Sequence, residues 1–474
     1  MKNTKIVATY GPAIKGEEDI LALYDAGVNM IRFNFSHAKY ESVREVLEIM
    51  RKNNRNGRAA LSMMLDTKGP EIRTGDLHEK QEYKTGDIFK FYTNAQAFSE
   101  DGKALFCDYP HLGEDAFLGQ IIDVDSGLFQ IKVISLENDY VKVEAQNDAT
   151  IGSRRHVNLP GVRLKMPGLT DKDIQDVQFA VNESMDFVAQ SFVRSGKNVR
   201  ELRTLLDSLG GENIKIIAKI ENQEGLENMS DIIAESDGVM VARGDLGIEV
   251  PIEKLPTYQS QMVAETLAAG KFTIIATHML ESMIENSFPT RAEVSDIYNG
   301  VTQRSDAVML SGETAAGKYP LKSVQIMAAT IREAEANLIS QERDFSHEGL
   351  TERDIEKKSL IKSAIASGEE LKVQGLFIFT KSGKLARLAS SFRSTLPIYA
   401  FTMNLESVAY MNILYGVNPY LIENWDTKFI ENIYTAIDIC KSQNILKTGN
   451  KIMIVNDIQK GDTEIPVVEL MEIT

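Results

Sequence analysis

The apolar positions of this chain recur in two rhythms. Short runs rich in β-branched and other apolar residues end in polar or charged residues, and a stretch with helical spacing usually follows. Eight such runs occur: KIVAT (5–9), VNMIRF (28–33), ALSMMLD (60–66), DFVAQS (186–191), IKIIAKI (214–220), GVMVA (238–242), FTIIAT (272–277) and AVMLS (307–311). Helical patterns lie between most of them, at 19–26, 41–51, 171–181, 199–209 and 260–269. Strands that are apolar almost throughout belong to parallel sheets covered on both faces. Eight of them alternating with helices predict a closed (β/α)8 barrel rather than an open doubly wound sheet. In such a barrel the chemistry sits at the C-terminal strand ends.

One gap breaks the alternation. Between 66 and 171 the helical period fades, and segments 88–93, 120–124, 129–135 and 140–145 alternate as strands. A loop of that length is implausible in a compact domain, so an inserted β domain is expected after the third strand. Its flanks, Lys68-Gly69-Pro70 and 164–168, have hinge composition. After the eighth strand a helical pattern runs from 321 to about 340, and the charged stretch 341–358 marks a boundary. A smaller α/β unit follows, with helices at 358–371 and 384–392 and strands at 375–379, 398–402 and 451–455. The expected division is therefore 1–70 and 167–342 for the barrel, 71–166 for the insertion and 343–474 for the last domain.

Composition narrows the function. The chain has 474 residues, 43% hydrophobic and 25% charged, which are globular values. No run approaches the roughly 20 apolar residues of a membrane span. MKNTKIVATYGP lacks the plan of a secretory leader, since its apolar run is short and charged residues follow at once. Two distant cysteines, Cys107 and Cys440, make no disulfide framework and no metal cluster. The expectation is a reduced, cytoplasmic protein. A net charge of −16 disfavours nucleic-acid binding, which needs a basic surface. Anionic small molecules can still bind where the fold gathers its cations in a cleft.

Several strand ends carry chemistry. In IRFNFSH, Arg32, Asn34 and Ser36 project to one face and Phe33 and Phe35 to the other. In AKIEN, Lys219 and Glu221 share a face, and the next strand ends in ARGDLG, bringing Asp245 near Glu221. Two carboxylates on adjacent strand ends suit a Mg²⁺ ion that keeps waters and takes substrate oxygens. An ordinary ion-pair network of Lys219, Glu221 and Asp245 is the alternative. The turn at Gly244 is expected to offer free N–H groups to an anion. The Thr277 hydroxyl is expected in the same cleft, beside His278, and Asp66, Thr67 and Arg73 follow the third strand. The sequence Gly312-Glu-Thr-Ala-Ala-Gly317-Lys318 imitates a phosphate loop, but Tyr319 stands where a hydroxyl must reach the metal. In the last domain Thr380-Lys381-Ser382-Gly383-Lys384 is either a phosphate pocket or an ordinary strand-to-helix turn. Three cations, two candidate metal carboxylates and small oxygen ligands suit phosphoryl transfer, which asks for positioning and charge neutralisation.

TKIVATYGPA, MIRFNFSH, LDTKGPEIRTG, GVNLPG, IIAKIEN, DGVMVARGDLGIE, ATHMLESM, PTRAEVSD and VMLSGETAAGKYP occur in this order. They resemble the blocks of the pyruvate kinase family over nearly the whole length. Pattern and resemblance together imply a TIM barrel, an inserted small β-barrel that closes as a lid, and a C-terminal three-layer α/β domain. The resemblance implies phosphoryl transfer from phosphoenolpyruvate to ADP, giving pyruvate and ATP, commonly by a homotetramer. It assigns Lys219 to the transferring phosphoryl group and Arg32 to the substrate phosphate. Gly244, Asp245 and Thr277 go to the substrate carboxylate, and Glu221 and Asp245 to Mg²⁺. Asn34, Ser36, Asp66 and the Thr67 carbonyl would surround K⁺. Asn34, His37, Arg73 and Arg155 would lie on the nucleotide side. Members with Glu at the position of Glu71 look potassium-dependent, while those with Lys there manage without. Thr380, Ser382, Gly383 and Lys384 would hold a phosphorylated effector. The chain departs from the family at Tyr10, Ile14, Ala38 and His278, in Arg154-Arg155-His156, and most at 456–474. A Mg²⁺-dependent aldolase-type barrel and a catalytically impaired sensing or assembling paralogue are the competing readings; the lid and Arg73 weigh against the first, the intact Lys219, Glu221, Asp245 and Thr277 against the second.

Overall fold

The computed structural model describes residues 2–54, 61–100, 103–338, 351–460 and 463–474. Three strands open the chain, β1 (Lys5–Thr9), β2 (Met30–Asn34) and β3 (Ser62–Asp66). Nine short ones follow among the described residues: β4 (Ile72–Arg73), β5 (Gln81–Tyr83), β6 (Ile88–Tyr92), β7 (Ala104–Phe106), β8 (Ile121–Val124), β9 (Phe129–Leu136), β10 (Tyr140–Ala145), β11 (Ala149–Ile151) and β12 (His156–Asn158). The chain then returns through β13 (Phe187–Gln190), β14 (Lys215–Ile220), β15 (Gly238–Ala242), β16 (Phe272–Ala276) and β17 (Ala307–Leu310). It finishes with β18 (Leu376–Phe379), β19 (Ile398–Thr402), β20 (Val417–Leu421), β21 (Lys451–Lys460) and β22 (Thr463–Glu472).

The eight strands β1–β3 and β13–β17 close into one parallel barrel, in the order β1-β17-β16-β15-β14-β13-β3-β2. Each strand alternates between two apolar environments. Ile6, Ala8, Ile31, Phe33, Leu65 and Val188 pack outward against the helices. Val7, Met30, Met64, Phe187, Ile217, Met240 and Phe272 fill the interior. Following the interior positions toward the C-terminal ends, Met30 leads to Arg32 and Asn34, Met64 to Asp66, and Ile217 to Lys219. The period of two thus carries the polar set to the barrel mouth in phase with the apolar plug beneath it.

The insertion is a sheet of order β4-β12-β8-β9-β10-β6-β7, antiparallel except for the parallel pair β6 and β7, with β5 and β11 forming a separate two-stranded sheet. A single bridge, Thr74 to Cys107, joins its two edges and closes the ring. Tyr83, Phe89, Phe91 and Phe129 pack in its core. The last domain is a five-stranded sheet of order β20-β19-β18-β21-β22. Helices Glu352–Glu370, Lys384–Ser391 and Leu405–Met411 cover one face, and Phe429–Ser442 covers the other, giving three layers.

That domain docks beneath the barrel, at the N-terminal strand ends. Ser62 Oγ donates to the Ala409 carbonyl at 2.7 Å, Asn412 Nδ2 to the Asn29 carbonyl at 2.6 Å, and Arg393 pairs with Asp306 at 2.5 Å. One apolar cluster runs from the barrel interior into this domain. The helix expected from 358 begins at Glu352, because Thr351 and Asp354 form a capping box, so part of the supposed charged boundary is helical. The boundary drawn between 342 and 343, and Ala60 at the start of the third predicted strand, lie outside the described residues. The strand predicted at 451–455 runs on to Lys460 because β22 pairs with its whole length. Among the described residues no helix is long and apolar enough to cross a membrane.

Candidate active site

Barrel closure builds a buried charged cluster at the mouth. Asp66, fully buried at the end of β3, accepts from Arg32 Nε at 2.5 Å and from Lys219 Nζ at 3.0 Å. Lys219 Nζ also lies 3.1 Å from Glu221 Oε1 and donates to Ser191 Oγ at 2.7 Å. Ser191 Oγ in turn donates to the Thr67 carbonyl at 2.6 Å, and Ser191 N–H donates to Thr67 Oγ1 at 3.1 Å. The second Glu221 oxygen accepts from the Phe192 N–H at 2.7 Å, and Phe192 adopts φ 54° to present it. Gly69 lets the chain after β3 approach this point. It has φ 72°, and an added Cβ would meet Ser191 Cβ at 2.7 Å.

The charges in this cluster do not cancel. Arg32 and Lys219 face Asp66, Glu221 and Asp245. Burial opposes ionisation of Asp66, but the adjacent Arg32 and Lys219 outweigh it and hold its carboxyl below the usual range. Burial likewise opposes the Lys219 charge, and Asp66 and Glu221 overcome that to keep the ammonium protonated. Glu221 carries the surplus: burial, assisted by Asp245 and opposed by Lys219, raises it to about 7. A pair of carboxylates with excess negative charge is a donor set that fits a divalent cation.

The Gly244 side differs from expectation. The helix Arg243–Glu249 begins directly after β15. Its Gly244 N–H is not free, since it donates to Thr277 Oγ1 at 2.8 Å, and that hydroxyl donates to the Ala276 carbonyl at 2.6 Å. The reason is local backbone geometry. Thr277 and His278 adopt φ 69° and 54°, a conformation unfavourable for a β-branched residue, which turns the hydroxyl back toward Gly244. Arg243 holds the turn by donating to the Thr277 carbonyl at 2.5 Å and pairing with Asp296 at 2.7 Å. His278 is exposed, with its ring 3.7 Å from where a Cβ on Gly244 would lie.

The hinge carries a second cluster. Glu71, 7% exposed in its side chain, pairs with Lys68 at 3.1 Å and Arg73 at 2.9 Å, and lies 3.3 Å from His156 Nε2, an imidazole that burial holds below its usual range. Arg73 also donates to the Arg154 carbonyl at 2.8 Å. Arg155 faces Asp125 at 3.4 Å, and its N–H donates to Thr74 Oγ1. His37 is exposed, while Asn34 and Ser36 are half-buried, with the Ser36 N–H donating to Asn34 Oδ1 at 3.1 Å. The structure therefore gathers Arg32, Asp66, Thr67, Lys219 and Glu221 in one network. It places Arg73 and Arg155 in the ion pairs of the insertion and hinge.

The motif in the last domain belongs to the body docked under the barrel. Lys384 pairs with Asp354 at 2.8 Å, Gly383 at φ 77° donates to Thr380 Oγ1, and Ser382 is exposed. In the imitation phosphate loop Thr314 Oγ1 donates to the Thr9 carbonyl, Glu313 is fully buried, and Lys318 pairs with Glu285. Sequence reasoning missed Ser191 as a member of the network. The signal was available: Ser191 stands two positions after Ala189, an interior residue of β13.

Comparison with known proteins agrees with this architecture. The family described as "Pyruvate kinase, barrel domain" matches residues 1–324, and "Pyruvate kinase, alpha/beta domain" matches 358–468. A protein named "Pyruvate kinase" from Agaricus bisporus is 37% identical, over 97% of this chain and 89% of its own length. One of that name from Dictyostelium discoideum is 36% identical over 97% and 92%. One from Clostridium acetobutylicum is 34% identical over 100% of both chains.

Proposed function

The chain belongs to the pyruvate kinase family, and from that premise we infer that it transfers the phosphoryl group of phosphoenolpyruvate to ADP, giving pyruvate and ATP. The observation that supports the barrel mouth as the reaction site is the buried network of Lys219, Asp66, Arg32, Ser191 and Glu221. Phosphoryl transfer is accelerated by fixed charge aimed at the transferring group and by alignment of donor and acceptor. Lys219 supplies such a charge. Three oxygens hold its ammonium, so little reorganisation remains when charge develops beside it. Arg32, clamped by Asp66, would hold the substrate phosphate in register with Lys219. Gly244, Asp245 and Thr277 would hold the substrate carboxylate, and the Thr277 hydroxyl also fixes Gly244 and hence the turn that bears Asp245.

This family works with metal ions. Glu221 and Asp245 would hold Mg²⁺, which when bound supplies positive charge to substrate oxygens. Asn34, Ser36, Asp66 and Thr67 would hold K⁺. Asp66 Oδ2, Asn34 Oδ1 and the Thr67 carbonyl already accept internal bonds, and a carbonyl or carboxylate oxygen with one such partner has a second lone pair for a cation; Asp66 Oδ1 already accepts from both Lys219 and Ser191. His37, Arg73 and Arg155, with Asn34, would face the nucleotide, and residues 71–166 would close over the cleft as a lid, excluding water. We further propose a cytoplasmic homotetramer in which Thr380, Ser382, Gly383 and Lys384 receive a phosphorylated effector. An aldolase-type reaction gives no role to the lid-borne arginines, and nothing observed favours it. The test is pyruvate formation from phosphoenolpyruvate and ADP with Mg²⁺ and K⁺ present. A folded protein that forms none would refute the reading.

A further inference from the structure

The helix Arg243–Glu249 joins the two bodies that bound the cleft. Its first turn carries Gly244 and Asp245 at the barrel mouth, and it ends in Glu249. There Glu249 Oε1 accepts a hydrogen bond from Asn158 Nδ2 at 2.8 Å. Asn158 is the last residue of β12 in the inserted domain, paired with Asp123 on β8. A second approach lies beside it. Gly127, in the turn between β8 and β9, sits so that an added Cβ would be 3.9 Å from Ile248 Cγ2. Asn158 and Glu249 also line a cavity of about 180 Å³ at the seam, with Ile72 and Leu159 from the insertion and Phe192 and Asn222 from the barrel.

The bond is placed where losing it matters. Burial, then Asp123 on β8 and Asp245 on the same helix, push the Glu249 carboxyl up to about 7, and the Asn158 bond works against that shift. Opening the seam takes away the Asn158 donor and leaves a crowded carboxylate without that partner. The helix has only seven residues, about 10 Å of rigid rod. A displacement of Glu249 at one end is therefore felt by Gly244 and Asp245 at the other.

We propose that Glu249 is a positioning residue whose hydrogen bond to Asn158 couples the seating of the inserted domain to the orientation of the Gly244–Asp245 turn. The proposal rests on the reading of that turn as the substrate and metal side of the site. The test is a double-mutant cycle with Asn158→Ala, Glu249→Ala and their combination. Glu249→Gln, which keeps a carbonyl acceptor, serves as the conservative rescue. Each alanine variant should lower kcat/KM about tenfold, which corresponds to about 1.4 kcal/mol. The double variant should lose no more than either single one, and Glu249→Gln should recover most of the loss. Amide hydrogen exchange supplies a readout that needs no turnover. Asn158→Ala, although on the insertion, should speed exchange across 243–249. Additive losses in the cycle, or unchanged exchange across 243–249 in Asn158→Ala, would overturn the coupling. A wild-type protein that forms no pyruvate refutes the activity instead, and the exchange result still decides the coupling.

Discussion

Replacing Lys219 by Met removes one charge from the centre of the network while keeping a side chain of similar length. Lys219 holds three partners, Asp66 Oδ1 at 3.0 Å, Glu221 Oε1 at 3.1 Å and Ser191 Oγ at 2.7 Å. A unit charge about 4 Å from a developing unit charge, at an effective dielectric of about 20, is worth about 4 kcal/mol. That corresponds to roughly 10³ in rate, the scale seen when one preorganised donor is removed. The cost to the fold is separable. Breaking a buried ion pair costs about 3–5 kcal/mol where a charge is left uncompensated. Here Asp66 keeps Arg32 at 2.5 Å, and Glu221 can take up a proton. Because burial, and next the loss of opposition from Lys219, favour the neutral Glu221, its proton stabilises the folded variant. That contribution is present at low pH and fades as pH rises through the folded value, about 7 in the parent and higher in the variant. The variant should therefore melt closer to wild type at pH 6 than at pH 8. Turnover is followed by coupling pyruvate to a reporter dehydrogenase, and folding by thermal melting at both pH values. A folded variant with kcat within tenfold of wild type would refute the role of Lys219. Equal destabilisation at both pH values would refute the charge accounting.

Glu221→Gln and Asp245→Asn should each raise the Mg²⁺ concentration for half-maximal activity as well as lower kcat, and Mg²⁺ titrations matching wild type in both would misplace the metal. Glu71→Lys should remove the K⁺ requirement, tested by adding K⁺ back to tetramethylammonium buffer. Because it also sets a third cation beside Lys68 and Arg73, next to a His156 that burial keeps neutral, turnover should fall, and an unchanged K⁺ requirement would defeat the charge-substitution idea. Asp186, partly exposed as a residue but with an enclosed carboxyl, is raised to about 7 by burial, opposed by the Met63 N–H. Its protonated form favours the fold, so this contribution is complete below about pH 4 and lost as pH rises through 7. Asp186→Asn should thus leave the melting temperature near wild type at pH 5 and raise it at pH 8, where the gain in stability is on the order of 1–2 kcal/mol; a constant offset across this range would contradict the assignment.

The strands and their phase are legible in the chain's local pattern alone. Eight near-continuous apolar runs separated by helical spacing leave little besides a closed parallel barrel. Within IRFN and AKIE, a period of two puts Arg32 and Asn34, or Lys219 and Glu221, on the same side as Met30 or Ile217. The ordered blocks carried the family as well. Assembly was decided by the tertiary structure. Asp66 and Lys219 are 153 positions apart and meet only because β3, β13 and β14 pair side by side in one register. Ser191 enters between them for the same reason. No local pattern announces that Thr277 turns back on Gly244, that Glu71 is held by Lys68, Arg73 and His156, or that Lys384 pairs with Asp354. Each of these depends on side chains brought together from separate elements, and on burial that makes an unpaired charge costly. Local periodicity encodes which face a residue takes; which partners meet on that face is set by barrel closure and by how the insertion and the last domain dock against it.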